Sequence, residues 1–165
     1  MAEPERIVVN TGPLIALAGV GRLDLLNALY DDVLVPQQVH DEVLQGSAIG
    51  RDMSDYDSAS FLQIMALTTP PDPLLSGMLD EGEAAVIQLA RQEHITHILI
   101  DERKGRRIAR QVYGLTVLGT MRLLINAKRT NLLNNISELI QQMRAQGYWI
   151  HEAIVQVALQ EAGET

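Results

Sequence analysis

The chain has 165 residues, enough for one domain with a single hydrophobic core, and it contains no cysteine. The missing cysteine excludes disulfides, thiolate catalysis and a cysteine-built zinc site, and it fits a cytoplasmic protein. The net charge of −8 argues against simple nucleic-acid binding, because acidic surfaces repel polyanions. No apolar run reaches the roughly 20 residues that a membrane helix needs, so we expect a soluble protein with no membrane contact.

The first predicted elements are a short buried strand and a helix, joined by a polar turn. Residues Ile7–Val9 are apolar and β-branched, which favours a strand. Asn10 and Thr11 follow, and then Gly12 and Pro13, a combination that is typical of a helix start. Without other evidence, helix capping is the simplest interpretation of Asn10 and Thr11.

A second strand and helix follow the same plan. The strand is predicted at Val33–Val35 and ends at a proline, and the helix is predicted over Gln37–Gln45. Glu42 lies three residues after Val39, on the apolar side of that helix. Asp41 points elsewhere, and we expect it at the surface.

The next part of the chain is less regular. The stretch Gly46–Ser60 is polar and rich in small residues, which predicts a mobile loop or a loosely held helix. Phe61–Leu67 predicts a third strand, and the proline-rich stretch Thr69–Pro73 predicts an extended connector.

The most informative stretch combines a buried helix with a strand that ends in an acid. The helix Gly82–Glu93 is too apolar for a surface helix, and Glu83 projects along its buried side. Asp80 and Glu83 also fit a capping box, so a cap and a metal ligand are both open for Glu83. The strand His97–Ile100 places Asp101 at its carboxyl end, where open α/β sheets bind their ligands.

A basic segment follows Asp101. Residues 103–129 contain no acid and eight basic residues, although the whole chain is acidic. Four of these side chains fall on one helical face, which could hold a phosphate backbone. A solvated helix face is the alternative. The four are Arg103, Arg106, Arg107 and Arg110.

The remaining elements complete an alternating pattern of strands and helices. Leu115–Leu118 predicts a further strand, and Ile136–Met143 and Ala153–Leu159 predict two terminal amphipathic helices. We expect Trp149, between those helices, to lie in the core rather than to form a ligand platform. The alternation predicts an α/β fold with a parallel sheet covered on both faces.

The motifs exclude several kinds of chemistry. The sequence has no GxSxG, no GxxxxGK[ST] and no GxGxxG, so neither a nucleophile elbow nor a nucleotide cofactor has support. What remains is a set of acids from separate elements that meet at strand ends. Clustered acids disfavour one another's ionisation unless a cation neutralises them, and oxygen ligands suit Mg²⁺ or Mn²⁺. Such an ion can polarise a phosphodiester and activate a water.

Five segments of the chain resemble a known family. VVNTGPLIAL, VPQQVHDEVL, LDEGEAAVIQLA, ILIDERKGRRIA and GLTVLGT resemble the PIN-domain superfamily, in particular a prokaryotic PIN-like branch related to VapC-type toxins. The resemblance extends from about Ile7 to Gly163. It implies one three-layer α/β/α domain over residues 1–165, with a short, mostly parallel sheet and a C-terminal helical extension over about residues 133–165.

The resemblance also implies a site. Its ligands for Mg²⁺ or Mn²⁺ are Asn10, Glu42, Glu83 and Asp101, and the last three are the catalytic acids. The residues expected at the substrate are Thr11, Arg103, Lys104, Arg106 and Arg107. Asn10 stands where most PIN nucleases have a carboxylate, so the site has one negative charge fewer and should bind a cation more weakly.

The function implied by the resemblance is a metal-dependent endoribonuclease. Its substrate would be single-stranded RNA, and it would be the toxin of a toxin–antitoxin pair, inhibited by a small antitoxin protein. We also expect a homodimer. Because of Asn10, one alternative is a PIN-like module that binds RNA without cleaving it. Another is an interaction protein that dimerises through its terminal helices and whose acids are only solvated or capping.

Overall fold

Five short strands form the central sheet of the computed structural model, which describes residues 3–47 and 50–165. They are β1 (Arg6–Val9), β2 (Asp32–Pro36), β3 (Leu62–Met65), β4 (His97–Leu99) and β5 (Thr116–Leu118). Their order in the sheet is β3-β2-β1-β4-β5, and every neighbouring pair is parallel. Val8, in the central strand, pairs with Leu34 on one side and Ile98 on the other.

Helices flank this sheet. The described residues form α1 (Thr11–Gly19), α2 (Asp24–Leu29), α3 (Gln37–Glu42), α4 (Ser54–Asp57), α5 (Pro73–Met78), α6 (Glu81–Gln92), α7 (Arg103–Gln111), α8 (Thr120–Arg129), α9 (Ser137–Ala145) and α10 (Glu152–Glu161). Successive residues of β1, Ile7, Val8 and Val9, are all fully buried, so both faces of the sheet are covered. The predicted α/β/α architecture with a parallel sheet is confirmed.

The strand order creates a crevice at the carboxyl end of the sheet. Chain connections leave β1 toward β2 on one side and β4 toward β5 on the other, so the order reverses between β1 and β4. The backbone N–H of Asn10, just after β1, donates to the carbonyl of Leu99 at the end of β4 (3.0 Å). Such a reversal point is where open α/β sheets bind ligands, and it brings Asn10 and Asp101 to the same edge.

Several elements differ in detail from their predictions. The predicted helix Gln37–Gln45 is α-helical as far as Glu42 and continues as a π-helical turn, Val43–Ser47. The stretch Gly46–Ser60 contains the short helix α4, and its residues 48 and 49 lie outside the described residues. The third strand is shorter than Phe61–Leu67.

The C-terminal helices are tied to α8 by charged groups. Lys128 Nζ lies 3.0 Å from Glu164 Oε2, and that carboxylate also accepts the backbone N–H groups of Ile136 and Ser137 near the start of α9. Arg122, in the first turn of α8, forms a bidentate pair with Glu161 at the end of α10. These contacts hold the start of α9 and the end of α10 against α8.

The prediction that Trp149 lies in the core is wrong, because its side chain is 78% exposed. Residues 148–150, in the connection between α9 and α10, belong to no helix or strand. Tyr148 and Ile150 are half-buried, so Trp149 between them points to solvent. A lone aromatic residue outside a periodic element carries no local signal of its direction.

Candidate active site

A cleft of 1130 Å³ lies at the carboxyl end of the sheet and collects most of the predicted site residues. Its lining includes Asn10, Thr11, Glu42, Asp80, Glu83 and Asp101, together with Arg103, Arg106 and Arg107. Lys104 is exposed and does not line the cleft. Asn10, Glu42, the pair Asp80 and Glu83, and Asp101 come from four separate parts of the chain and face one space.

Three oxygen atoms surround Gly82 in the first turn of α6. The position that a Cβ on Gly82 would occupy lies 3.3 Å from Glu42 Oε2. Asn10 Oδ1 and Asp80 Oδ1 each lie 3.6 Å from the same position. We call these three oxygens the Gly82 cradle. Only a residue without a side chain leaves this space open.

The side chains of Asn10 and Thr11 line the cleft and do not cap α1. Asn10 occupies the N-cap position of α1, but its side chain makes no capping hydrogen bond. Its Oδ1 is buried and has no hydrogen-bond partner among the described residues. Thr11, also buried, donates its hydroxyl to Glu42 Oε2. The simple capping interpretation of these two residues is therefore wrong, because their polar groups face the cleft.

Glu83 is a buried acid with acidic neighbours. Its backbone N–H donates to Asp80 Oδ1 (2.8 Å), so Asp80 caps α6 as predicted. The residue is only 8% exposed. Burial, a hydrogen bond with Asp80, and the charges of Asp80, Glu102 and Glu42 raise its pKa to about 8. Burial and the neighbouring acids thus favour the protonated form of this carboxyl, and a cation in the cleft would favour the ionised form.

Asp101, in contrast, is surrounded by donors. Its Oδ1 accepts the backbone N–H of Thr120 (2.8 Å), and its Oδ2 accepts the Thr120 hydroxyl (2.6 Å). The hydroxyl of Tyr148 also donates to Oδ2. Burial and the charge of Asp101 raise the pKa of Tyr148, so the phenol keeps its proton. These three hydrogen bonds hold the Asp101 side chain in a fixed orientation.

Comparison with known proteins is decisive for the family. A family model described as a PIN domain matches residues 6–164. The chain belongs to the PIN-domain family. No curated protein and no solved structure gives a significant match. The predicted family is therefore confirmed. PIN domains are nuclease-type folds that generally use divalent metal ions, and the cleft is the candidate site for that chemistry.

The arginines of this PIN domain differ in how they are held. Arg106 is half-buried and donates to the carbonyl of Ile100 (2.9 Å), and burial lowers the pKa of its guanidinium. Arg110 donates to a backbone carbonyl of β5 (3.2 Å). Within residues 3–47 and 50–165, the side chains of Arg103 and Arg107 have neither a hydrogen-bond nor a salt-bridge partner, and both residues line the cleft. These two are available to bind phosphate.

The oxygen donors of this PIN domain fit a hard divalent cation. Across the described ranges, no three His, Asp or Glu side chains form a group that could hold an ion. Mg²⁺ does not need such a group, because it keeps several waters and is usually bound by one or two carboxylates together with substrate phosphates. The partnerless Asn10 oxygen and the open Gly82 cradle match this requirement.

Sequence reasoning missed two residues of the site, Thr120 and Tyr148. Thr120 follows β5, so its place at the same sheet edge as Asp101 could have been predicted from the strand pattern. Tyr148 lies 47 residues from Asp101 and belongs to no strand or helix, so no local pattern indicated it.

None of the helices that the structure describes has the length and apolar composition of a membrane span.

Proposed function

We propose that this PIN domain is a Mg²⁺- or Mn²⁺-dependent endoribonuclease that cleaves single-stranded RNA. The observation that carries the proposal is the Gly82 cradle next to Glu83. An amide oxygen without a donor and a carboxyl with its pKa raised to about 8 lie in one cleft of a nuclease-type fold. A bound cation would stabilise both the partnerless amide oxygen and the ionised form of the carboxyl.

The residues have separable roles in this proposal. The predicted ligands are Asn10, Glu42, Glu83 and Asp101, of which one or two carboxylates would contact the cation directly and the others would act through its bound waters. A divalent cation bound to them would polarise the phosphodiester and lower the pKa of the attacking water. Thr11 orients Glu42 through its hydroxyl, and Thr120 and Tyr148 orient Asp101.

The RNA would be held by the helix that follows Asp101. Arg103 and Arg107 line the cleft from α7, and their charges offset the repulsion between its acids and a phosphate backbone. Arg106 would act less directly, because it already donates to the carbonyl of Ile100 and supports the backbone just before Asp101. Single strands fit such a cleft because their backbone can bend into it.

The wider biological role belongs to the proposal as well. By its likeness to the VapC-related branch, the protein would be a cytoplasmic toxin that dimerises and is inhibited by a small antitoxin protein. Co-expression with the product of the adjacent open reading frame tests this role. A complex of the two proteins with suppressed ribonuclease activity is the expected result.

Asn10 favours a second candidate, an RNA-binding module that does not cleave. With an amide in place of the usual carboxylate, the cradle has one negative charge fewer and a weaker attraction for a divalent ion. The fold and the free arginines would still bind RNA. Cleavage assays separate the two candidates.

The decisive experiment compares two aspartates. Purified protein is incubated with end-labelled single-stranded RNA in Mn²⁺, in Mg²⁺ and in EDTA, alongside Asp101→Asn and Asp41→Asn. Asp41 is an exposed acid outside the cleft lining, so it controls for the loss of charge. We expect metal-dependent cleavage that Asp101→Asn lowers by at least about 100-fold and Asp41→Asn leaves intact.

Two other results are informative. Cleavage that persists in EDTA or in Asp101→Asn contradicts the proposed site. RNA binding without cleavage in either metal supports the second candidate instead.

A further inference from the structure

The one tryptophan of the chain is displayed to solvent at the edge of the cleft. Trp149 is 78% exposed, the highest value among the large apolar side chains that the structure describes. Trp149 lines the same cleft as the acids and the arginines. An indole this exposed leaves most of its apolar surface in water, and burial of that surface by a bound ligand would be favourable.

The neighbouring residues fix where the indole stands. Tyr148 donates its hydroxyl to Asp101, and that hydroxyl lies 3.7 Å from the position of a Cβ on Gly12 at the start of α1. Tyr148, the residue before Trp149, is thus hydrogen-bonded to a residue of the site. On the other side, the ring of His151 meets the indole edge-on, with centroids 5.7 Å apart and an interplanar angle of 87°.

His151 is itself held in place. Its Nδ1 accepts the backbone N–H of Ala153 (3.1 Å) and caps α10. The T-shaped contact therefore braces the indole and leaves its outer surface open to a ligand. A braced aromatic ring loses little conformational freedom when it binds.

The charges of the cleft indicate what kind of ligand covers the ring. Arg103 and Arg107 have no partner among the described side chains and line the same cleft as Trp149. Cationic side chains along a groove together with an exposed aromatic ring are the features that bind single-stranded nucleic acid: phosphates meet the cations, and bases stack on the ring. A duplex offers no free base face to such a ring.

We propose that Trp149 is a base-stacking subsite, on which an unpaired nucleobase close to the scissile phosphate stacks. The subsite rests on the proposed ribonuclease function and adds a reason for selecting single strands. Ile154 and Val157, each 55% exposed on α10, extend the apolar side of the cleft next to it.

The single tryptophan makes the subsite directly observable, because all indole fluorescence comes from Trp149. The full-length protein in EDTA is titrated with a single-stranded oligoribonucleotide, with an abasic strand of the same length, and with a duplex. We expect the single strand to quench the emission and to bind on the order of 10- to 100-fold more tightly than the abasic strand. The duplex should leave the emission largely unchanged.

Variants test the same contact without fluorescence. Trp149→Ala should weaken binding of the oligoribonucleotide by on the order of 10- to 100-fold, and Trp149→Phe should recover part of the loss. In the metal-dependent assay, the loss should appear in KM more than in kcat. Val112→Ala is the matched control, since Val112 is 53% exposed but does not line the cleft.

The outcomes separate this subsite from the ribonuclease activity. If the wild type cleaves RNA but binds abasic and natural strands equally, and Trp149→Ala is neutral, the subsite is overturned and the activity stands. If the strand quenches Trp149 but no metal supports cleavage, the subsite stands and the activity fails. If emission changes with protein concentration alone and Trp149→Ala yields monomers, the ring belongs to an interface between two copies, and the subsite is overturned.

Discussion

On one side of the cleft, the carboxylate of Asp101 accepts hydrogen bonds at both oxygens, from Thr120 and Tyr148. On the other side, the Asn10 side-chain oxygen has no partner among the described residues, and the Glu83 carboxyl is crowded by acids. We call these the Asp101 side and the acid-rich side. The protein itself completes the Asp101 side, whereas the acid-rich side has more acceptors than donors.

The two sides therefore contribute different properties: the Asp101 side orients one metal ligand, and the acid-rich side provides affinity for the cation. The Asp101 side keeps one ligand in place whether or not an ion is bound, because its donors come from the protein. The acid-rich side gains most from a cation, since the ion relieves repulsion between acids that are already close. Changes on the acid-rich side should therefore alter metal binding and metal-free stability, and changes along α7 should alter RNA binding.

The largest effect is expected from Glu42→Gln. Glu42 belongs to the Gly82 cradle and accepts the Thr11 hydroxyl, so an amide there removes charge from the acid-rich side. We expect kcat/KM for RNA cleavage to fall by roughly 100-fold or more. Asp41→Asn, one residue earlier and at the surface, should retain full activity. Equal losses in the two variants would mean that the acid-rich side is not the metal site.

The next largest effect is expected from Gly82→Ala, with Gly77→Ala as its control. A Cβ at residue 82 would come within 3.3 Å of Glu42 Oε2, whereas one at residue 77 meets nothing within 4 Å. We expect Gly82→Ala to weaken Mn²⁺ binding, measured by calorimetry, by about 10- to 100-fold. Gly77→Ala should bind Mn²⁺ as the wild type does. Unchanged affinity in Gly82→Ala would show that the ion binds elsewhere.

Changes along α7 should affect RNA rather than metal. The double variant Arg103→Ala, Arg107→Ala should bind single-stranded RNA about 10-fold more weakly and lower the slope of log K against log salt by about 1.4, since each lost phosphate contact lowers it by about 0.7. Lys104→Ala should have a smaller effect, because Lys104 does not line the cleft. A salt slope that falls equally in Lys104→Ala would instead support the sequence-based assignment of Lys104.

The smallest effect concerns stability and pH without metal. The pKa of Glu83 rises from 4.5 to about 8 on folding, so the folded protein takes up a proton between these values. Its contribution to stability is complete below pH 4.5 and is lost as pH rises through 8. We expect Glu83→Gln to reduce the fall in Tm between pH 5 and 8.5 by on the order of 5 °C.

Two measurements accompany this prediction. Glu81→Gln changes an exposed acid in the same helix turn and should keep the wild-type pH dependence. Added Mg²⁺ should flatten the wild-type curve, because a cation favours the ionised Glu83. A wild-type Tm that rises between pH 5 and 8.5 in EDTA, with Glu83→Gln showing the same rise, would contradict the assignment.

Local sequence pattern determined much of this protein. Short apolar runs such as Ile7–Val9 form strands, and the apolar spacing of the helix that carries Glu83 shows that the acid is buried. Side-chain direction within one strand or helix follows from its period, so it can be predicted from neighbouring residues. The same periodicity, with the motifs, was enough for the fold class and the PIN family.

Only the tertiary structure decided how the site is completed. Tyr148 reaches Asp101 across 47 residues, Asp80 joins Asn10 and Glu42 around Gly82, and Trp149 faces solvent. Each of these facts depends on where separate elements meet at the sheet edge. The periodicity of a single element cannot predict these positions, because they depend on the order of the strands in the sheet and on the packing of the C-terminal helices.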